Sequence, residues 1–124
     1  MYVYIICAVR KANPDRLKEI RDYAHELRQG GHQVHFPPDD APQDDPTGAL
    51  ICATHLAAMQ KADEVHVFWD VESFGSHFDL GMAYGLNKRI VPLSCEQIDP
   101  PGKKSYWKAV IKHWNHNVPG SSTR

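Results

Sequence analysis

The stretch VHVFWDVESFGSHFDLGMAYGLNKRIVPL, residues 65–93, decides the fold predicted for this chain. Its first part, Val65 to Trp69, is β-branched and aromatic, which is typical of a buried strand. The segment from Val71 to Phe78 carries glycine and small polar residues and predicts a loop, followed by a short helix with Asp79 at its start. Ile90 to Leu93 is expected to form the next strand. A strand, a polar loop, a helix and a second strand make up the repeating unit of an open α/β sheet.

The same alternation of strand and helix continues toward the N-terminus. Tyr2 to Val9 is a continuous apolar run, which is typical of a central parallel strand covered on both faces. Asn13 and Pro14 predict a helix start, because an asparagine side chain can cap a helix and proline fits its first turn. That helix is expected to end at Gly30-Gly31, and a second strand from about His32 to Phe36, nearer the sheet edge, follows it.

The second half of the chain repeats the pattern. Asp45-Pro46 predicts another helix start, Glu64 to Trp69 the third strand, and Tyr106 to Trp114 a last amphipathic helix. Together these elements indicate a three-layer α/β fold of flavodoxin or Rossmann type, with a parallel sheet of order 2-1-3-4, helices on both faces and room for a fifth strand. We expect one domain over residues 1–116 and a flexible tail over residues 117–124.

Composition and charge argue against several classes of partner. The 124 residues carry a formal net charge of -1, and their 14 Lys and Arg form no long basic block, so a nucleic acid polymer is not indicated. The apolar N-terminus is too short to span a membrane and lacks a basic leader, so we expect no membrane partner. Cys7, Cys52 and Cys95 are odd in number and widely spaced, which favours a reducing, cytoplasmic setting over a disulfide framework.

Three predicted loops, residues 10–13, 37–46 and 71–78, leave the carboxyl ends of strands and should meet at one edge of the sheet. The second is rich in proline and aspartate and is either a binding loop or a solvated surface loop. The third runs into Asp79 and can hold a phosphate or sugar while presenting a carboxylate to it. Acidic residues are also common in the first turn of a helix because of its dipole, so Asp79 is a nucleophile, a helix cap, or both.

Four motifs carry a family resemblance, and they follow one another along the predicted elements. They are YIICAVR at residues 4–10, QKAD at 60–63, GSHFDLG at 75–81 and NKRI at 87–90. Their order and spacing resemble the nucleoside 2-deoxyribosyltransferase superfamily, and within it the 2'-deoxynucleoside 5'-monophosphate N-glycosidases. The resemblance implies cleavage of, or deoxyribosyl transfer at, the N-glycosidic bond of a small-molecule nucleoside or nucleoside 5'-monophosphate. It further implies that no cofactor is needed and that the protein is a homodimer or higher homo-oligomer.

The same resemblance gives roles to individual residues. Asp79 stands where the family has a glutamate nucleophile, Tyr4 where a tyrosine orients that carboxylate, and His55 where an aspartate protonates or holds the leaving base. A carboxylate suits glycoside cleavage because the transition state resembles an oxocarbenium ion. The further implied substrate-binding residues, of which His77 is also a candidate proton donor, are Arg10, Ser73, Gly75, Ser76, His77 and Gly81.

Without the resemblance, other roles for these residues stay open. Tyr4 is also typical of a core aromatic, and His55 of a helix residue packed at the edge of the crevice. His113 and His116 lie one helical turn apart, but spacing supplies no third ligand, so we predict no metal site. The alternative function is a nucleotide-binding or sensing module of the same fold with weak or no catalysis, which the changed residues at positions 55 and 79 would permit.

Overall fold

The structure, a computed structural model, describes residues 1–10, 12–42, 44–96 and 104–117. Within these ranges one sheet has four strands and no fifth, and the predicted order 2-1-3-4 is confirmed, with every pairing parallel. The strands are β1 (Tyr2–Ile6), β2 (Gln33–His35), β3 (Glu64–Asp70) and β4 (Arg89–Glu96). The helices are α1 (Pro14–Gln29), α2 (Pro37–Asp40), α3 (Ala49–Lys61), α4 (Phe74–Gly85) and α5 (Tyr106–Asn117).

The two central strands divide the core between the two faces of the sheet. In β1, Val3 and Ile5 pack on the face covered by α1, whereas Tyr4 and Ile6 lie on the face covered by α3, α4 and α5. Successive side chains of a strand point to opposite faces, and this alternation directs Tyr4 toward α3 and α4. Helices on both faces of a parallel sheet confirm the predicted three-layer α/β class.

The first helix has the ends that the sequence predicted. The Asn13 side chain accepts hydrogen bonds from the backbone N–H groups of Asp15, at 2.9 Å, and Arg16, at 3.3 Å, with Pro14 in the first turn. After Gln29 the chain turns through Gly31, whose φ of 92° lies in the left-handed region that favours glycine. Both signals are local, so they identify the helix from sequence alone.

The segment between β2 and α3 differs from its prediction as a loop. Residues 37–40 form the short helix α2, which the Asp40 carboxylate supports by accepting the backbone N–H of Phe36 at 2.8 Å. The next helix begins at Ala49, three residues after the predicted start at Asp45-Pro46. The N-cap is Gly48, so the predicted start at Asp45-Pro46 was too early and Asp45 is not the cap residue. The Asp45 side chain nevertheless accepts the backbone N–H of Ile51, in the first turn of the helix, at 3.0 Å.

The segment that leads to Asp79 is helical over more residues than predicted. Residues 71–78 were predicted to be a loop with Asp79 at the following helix start, yet α4 already begins at Phe74 with Ser73 as its N-cap. The predicted boundary was too late because Gly75 lowers helix propensity without preventing helix formation. Asp79 is therefore the sixth residue of the helix, and a first-turn carboxylate that stabilises the helix dipole is the wrong interpretation of it.

The C-terminal elements cover the face of the sheet that contains Tyr4. The last strand extends to Glu96, beyond the predicted end at Leu93. Its pairing with β3 shifts register between Val67 and Phe68, which marks a β-bulge. The predicted last helix is present as α5, and its Trp107 stacks on Trp69 with ring centroids 4.8 Å apart. Of the predicted tail, residues 118–124 lie outside the described residues. No described helix is long and apolar enough to cross a membrane.

Replacing Asn13 with alanine should destabilise the protein by about 1 kcal/mol, because the two backbone N–H groups at the start of α1 lose their acceptor. Urea unfolding followed by circular dichroism measures this change. Asn13→Asp is the matched control, since its carboxylate can accept the same bonds, and it should retain most of the stability. Equal midpoints for wild type and Asn13→Ala would show that the cap contributes nothing.

Candidate active site

The site is organised around the Asp79 carboxylate on the inner face of α4, where the residue is only 3% exposed. The Tyr4 hydroxyl donates to Asp79 Oδ2 at 2.9 Å, and His55 Nδ1 lies 3.1 Å from Asp79 Oδ1. An ionised carboxylate only accepts hydrogen bonds, so His55 must carry a proton on Nδ1 to donate to it. Three residues that are distant in sequence therefore meet at one buried negative charge.

Each of these side chains is positioned by a different element. Tyr4 lies in the middle of β1 and is fully buried, His55 comes from the buried face of α3, and Asp79 comes from the second turn of α4. Ser73 caps the start of α4, and Ser76, Asp79 and Ala83 follow at helical spacing on its buried face. The structure thus brings together the three residues for which the resemblance implied a catalytic role.

The electrostatics of the site follow from its burial. Burial raises the pKa of Tyr4 well above its ordinary value, and the Asp79 charge and hydrogen bond raise it further, so the phenol stays neutral and donates. Burial, followed by the Asp79 charge, raises the pKa of the nearby Cys7 thiol to about 12, with Arg16 acting in the opposite direction. The buried surroundings of Asp79 therefore disfavour further negative charge.

Sequence reasoning missed His35, which lies beside this cluster. The register of the sheet pairs His35 of β2 with Tyr4 of β1, and their ring centroids are 4.9 Å apart. The His35 ring also meets the His55 ring edge-on, at 5.4 Å and 79°. Burial, then the charge of His55, lower the pKa of His35. The available signal was its place at the carboxyl end of β2, an edge where ligands bind in open α/β sheets.

The cations at the strand ends also differ from those expected. Arg10 is exposed after β1, whereas the Arg16 side chain is mostly buried and donates to the Ser94 hydroxyl. The Arg16 guanidinium lies 5.3 Å from the centre of the Phe68 ring and lines a small crevice at the carboxyl ends of β1 and β3 together with Asp70. Arg16 was missed because a charged residue in the first turns of α1 is typical of a solvent-exposed position.

The serine and glycine residues predicted to bind substrate lie in or next to the first turn of α4. Ser73 Oγ accepts the backbone N–H of Ser76 at 3.2 Å and the Ser76 hydroxyl at 2.9 Å. Ser76 is fully buried, while Gly75 is exposed. The two serine hydroxyls therefore stabilise the first turn of α4. Gly75 has no side chain, so the backbone on the outer side of that turn is exposed to solvent.

His77 and Gly81 do not meet Asp79. The His77 ring packs edge-on against Trp69 at 4.7 Å, and its Nε2 lies 2.7 Å from the carbonyl oxygen of Val71. Both residues line an open groove of about 440 Å³ between α4 and α5, with Tyr84 among its walls. Positions two residues from Asp79 are turned by about 200° around a helix, which explains why they face away from it. Among the described residues, no group of three or more His, Cys, Asp or Glu is arranged to hold a metal ion.

A parallel α/β sheet with a buried carboxylate at its carboxyl edge is a common setting for ligand binding and catalysis. No protein-family model matches the chain, and no curated protein matches its sequence. Several solved structures share its fold, and two of them show the extent of the likeness. One is the CMP N-glycosidase BcmB of Clostridium botulinum, at 21% identity and a TM-score of 0.61, over 95% of this chain and 82% of that chain. The other is a 2-deoxyribosyltransferase of Bacillus psychrosaccharolyticus, also at 21% identity, with a TM-score of 0.62, over 81% of this chain and 77% of that chain.

These comparisons confirm, at the level of the fold, the resemblance that the sequence motifs indicated. Both neighbouring proteins are named for chemistry at a glycosidic bond of nucleosides or nucleotides. The chain spans more than three quarters of each of them, so its fold corresponds to most of their length.

The buried thiol tests the electrostatics of the site. At pH 8, Cys7 should resist alkylation in the folded protein, because a pKa of about 12 leaves about one thiolate in 10,000 and the side chain is buried. Exposed Cys52 should react within minutes, as peptide mass spectrometry after iodoacetamide treatment would measure. In 8 M urea both cysteines should react alike. Equal rates in the folded protein would contradict the buried, negative setting of Cys7.

The His35 side chain should make the protein less stable in acid. Its pKa is lowered from 6.5 in the folded state by burial and by His55, against the smaller opposing effects of Asp40 and Asp79. The unfolded chain then binds more protons, so the His35 contribution is fully present above pH 6.5 and is lost as the pH falls toward the lowered value. Thermal unfolding at pH 5 to 8 should show a smaller acid loss in His35→Phe than in wild type. Parallel curves would contradict a neutral, buried His35.

Proposed function

We propose that this protein cleaves the N-glycosidic bond of a nucleoside or nucleoside 5'-monophosphate, with the Asp79 carboxylate as nucleophile. The observation that carries the proposal is the convergence of Tyr4 and His55 on that one buried carboxylate. The fold shared with an N-glycosidase and a deoxyribosyltransferase supports the same reaction class.

The first step forms a glycosyl-enzyme intermediate. As the bond between the anomeric carbon and the base nitrogen breaks, positive charge develops on the sugar, and Asp79 stabilises it and then bonds to the anomeric carbon. The Tyr4 hydroxyl keeps Asp79 Oδ2 in place by hydrogen bonding. Because the phenol remains neutral, it donates to the carboxylate without adding a competing charge.

The leaving base takes a proton from His55. When both ring nitrogens are protonated, Nδ1–H donates to Asp79 and Nε2–H can transfer its proton to the base, leaving a neutral imidazole. Water then attacks the anomeric carbon, gives its proton back to His55 and releases the sugar, which regenerates the Asp79 carboxylate. The alternative donor, His77, is less suitable because its Nε2 contacts the carbonyl of Val71 on another side of the helix.

The sugar and phosphate would bind at the start of α4. Ser73 and Gly75 lie at the N-terminal end of that helix, where backbone N–H groups and the helix dipole favour an anion. Arg10 is exposed in the loop that follows β1, and Arg16 lies at the carboxyl ends of β1 and β3, so both positive charges favour an anion at this edge of the sheet. Ser76 contributes indirectly, by holding Ser73 in its capping position.

A second candidate is a module that binds a nucleotide without turning it over. The observation that favours it is that both oxygens of Asp79 already accept hydrogen bonds, while its side chain is only 4% exposed. Such a carboxylate can hold a ligand through its partners without reaching the anomeric carbon. Calorimetry that detects nucleotide binding, with no free base released from the same samples, would favour this candidate over the enzyme.

Replacing Asp79 with asparagine should lower kcat/KM for base release by at least about 1,000-fold, because the amide has the same shape but no nucleophilic charge. Chromatography of free base from a panel of ribo- and deoxyribonucleoside 5'-monophosphates measures the loss. Intact-mass spectrometry after rapid acid quenching should detect a glycosyl adduct in wild type that Asp79→Asn lacks.

Asp22→Asn is the matched control, since Asp22 pairs with Lys18 on the exposed surface of α1 and should leave base release unchanged. Thermal unfolding of both variants establishes that they are folded. If Asp79→Asn released base as fast as wild type across the panel, Asp79 would not be the nucleophile. If wild type released none, the enzymatic proposal would fail.

A further inference from the structure

Buried polar atoms without a hydrogen-bond partner single out one part of the molecule. Among the described side chains there are three such atoms: Nε2 of His35, Nε2 of His55 and Nε of Arg89. The Arg89 atom lies 3.4 Å from a Glu64 carboxylate oxygen and is neutralised by that ion pair. The two histidine nitrogens remain, and they belong to side chains that touch each other.

Their burial makes these two nitrogens unusual. His35 is 4% exposed and His55 is 8% exposed, so water at the protein surface does not hydrate them freely. Native proteins pair nearly all buried polar side-chain atoms, and exceptions commonly mark a position that a ligand or an ordered water completes. The two exceptions lie on adjacent rings, so a single ligand that reaches both rings can supply both missing partners.

The structure fixes where these nitrogens lie relative to the reactive group. The Nδ1 of His55 is bound to Asp79, so the Nε2 of the same ring points away from that carboxylate. His35 is positioned by strand pairing, next to Tyr4, and meets the His55 ring edge-on. The two unpaired nitrogens therefore belong to rings that both contact the Asp79–Tyr4 pair. The His55 ring contacts Asp79, and the His35 ring contacts Tyr4.

The chemistry of the pair defines the ligand. A neutral imidazole offers one N–H donor and one acceptor, and a protonated imidazole offers two donors, so the two rings together can bond a flat heterocycle that has several polar atoms along its edge. His35 is held neutral by burial, so it can contribute a bond without adding a second positive charge next to His55. A nucleobase has this shape and this polar edge, whereas a sugar or phosphate has no planar edge.

The geometry points to His35 as a specificity-determining residue that binds the edge of the nucleobase through Nε2, beside His55. This inference rests on the proposed function and extends it, because it names a residue that recognises the base and that the sequence resemblance did not include. His35 bonds to a ring or exocyclic atom of the base, while His55 faces the nitrogen at which the glycosidic bond breaks. The pair thereby orients the base before the bond is broken.

The test compares variants that separate ring volume from hydrogen bonding. His35→Phe keeps an aromatic ring and removes both nitrogens, whereas His35→Gln carries an amide close to the position of Nε2. We expect His35→Phe to raise KM for the best nucleoside 5'-monophosphate about tenfold or more, as expected for one lost polar contact. His35→Phe should also discriminate less between the bases than wild type does, and its kcat should change less than its KM. His35→Gln should restore KM to within about threefold of wild type.

Exposed His25 on the outer surface of α1 provides the matched control, and His25→Phe should behave as wild type. If His35→Phe and His35→Gln both keep the wild-type KM and base preference, His35 only packs against its neighbours and the inference is wrong. It is equally wrong if both variants lose kcat and KM changes for all bases alike, since that result indicates general damage to the site.

A binding measurement on the wild-type protein does not require catalytic turnover, and it uses a variant only to assign one resonance. Histidine-selective ¹⁵N NMR during titration with cytidine, uridine, adenosine and guanosine 5'-monophosphates should shift the Nε2 resonance of His35, assigned by its loss in His35→Gln. A shift without base release would support base binding by His35 while the enzymatic proposal failed. Base release or saturable nucleotide binding without a His35 shift would overturn the inference alone, and no binding of any nucleotide would overturn both.

Discussion

The buried carboxylate of Asp79 requires the Tyr4 hydroxyl and the His55 Nδ1–H, because an ionised carboxylate without hydrogen bonds is very costly to bury. These two donors come from β1 and α3, so the requirement connects three elements that the chain order separates. Removing either donor would leave an unsatisfied charge in the interior. The packing of both helices against the sheet and the chemistry of the site therefore depend on the same two hydrogen bonds.

Strand alternation keeps this reactive face apart from a second polar network. On the α1 face, the Tyr23 hydroxyl lies 2.5 Å from His66 Nδ1, and the other nitrogen of His66 lies 3.0 Å from Glu64. Both nitrogens of His66 have partners, whereas His35 and His55 each have an Nε2 without one. That contrast distinguishes a histidine that stabilises the sheet from histidines that remain available to a ligand.

The site was predictable as far as it depends on local signals. Helix caps and apolar periodicity located α1, β3 and α5, and the motif around Asp79 identified the helix that carries it. The boundary of that helix was misjudged by about one turn, because Gly75 and the serines are compatible with both a loop and a capped helix start. The family resemblance placed His77 and Gly81 among the substrate-binding residues, whereas the helical rotation of α4 turns them toward the groove against α5.

By itself, the sequence determined the α/β class and the residues at which α1 begins and ends, because apolar periodicity and capping act over a few residues. The strand order followed from the fold type that the alternating strands and helices predicted. Only the tertiary structure decided that Asp79 is a buried acceptor of two hydrogen bonds and that His35 lies beside Tyr4 and His55. Those contacts join residues as far as 75 positions apart. They depend on the register between β1 and β2 and on the rotation of α4, which packing sets and no short stretch of sequence contains.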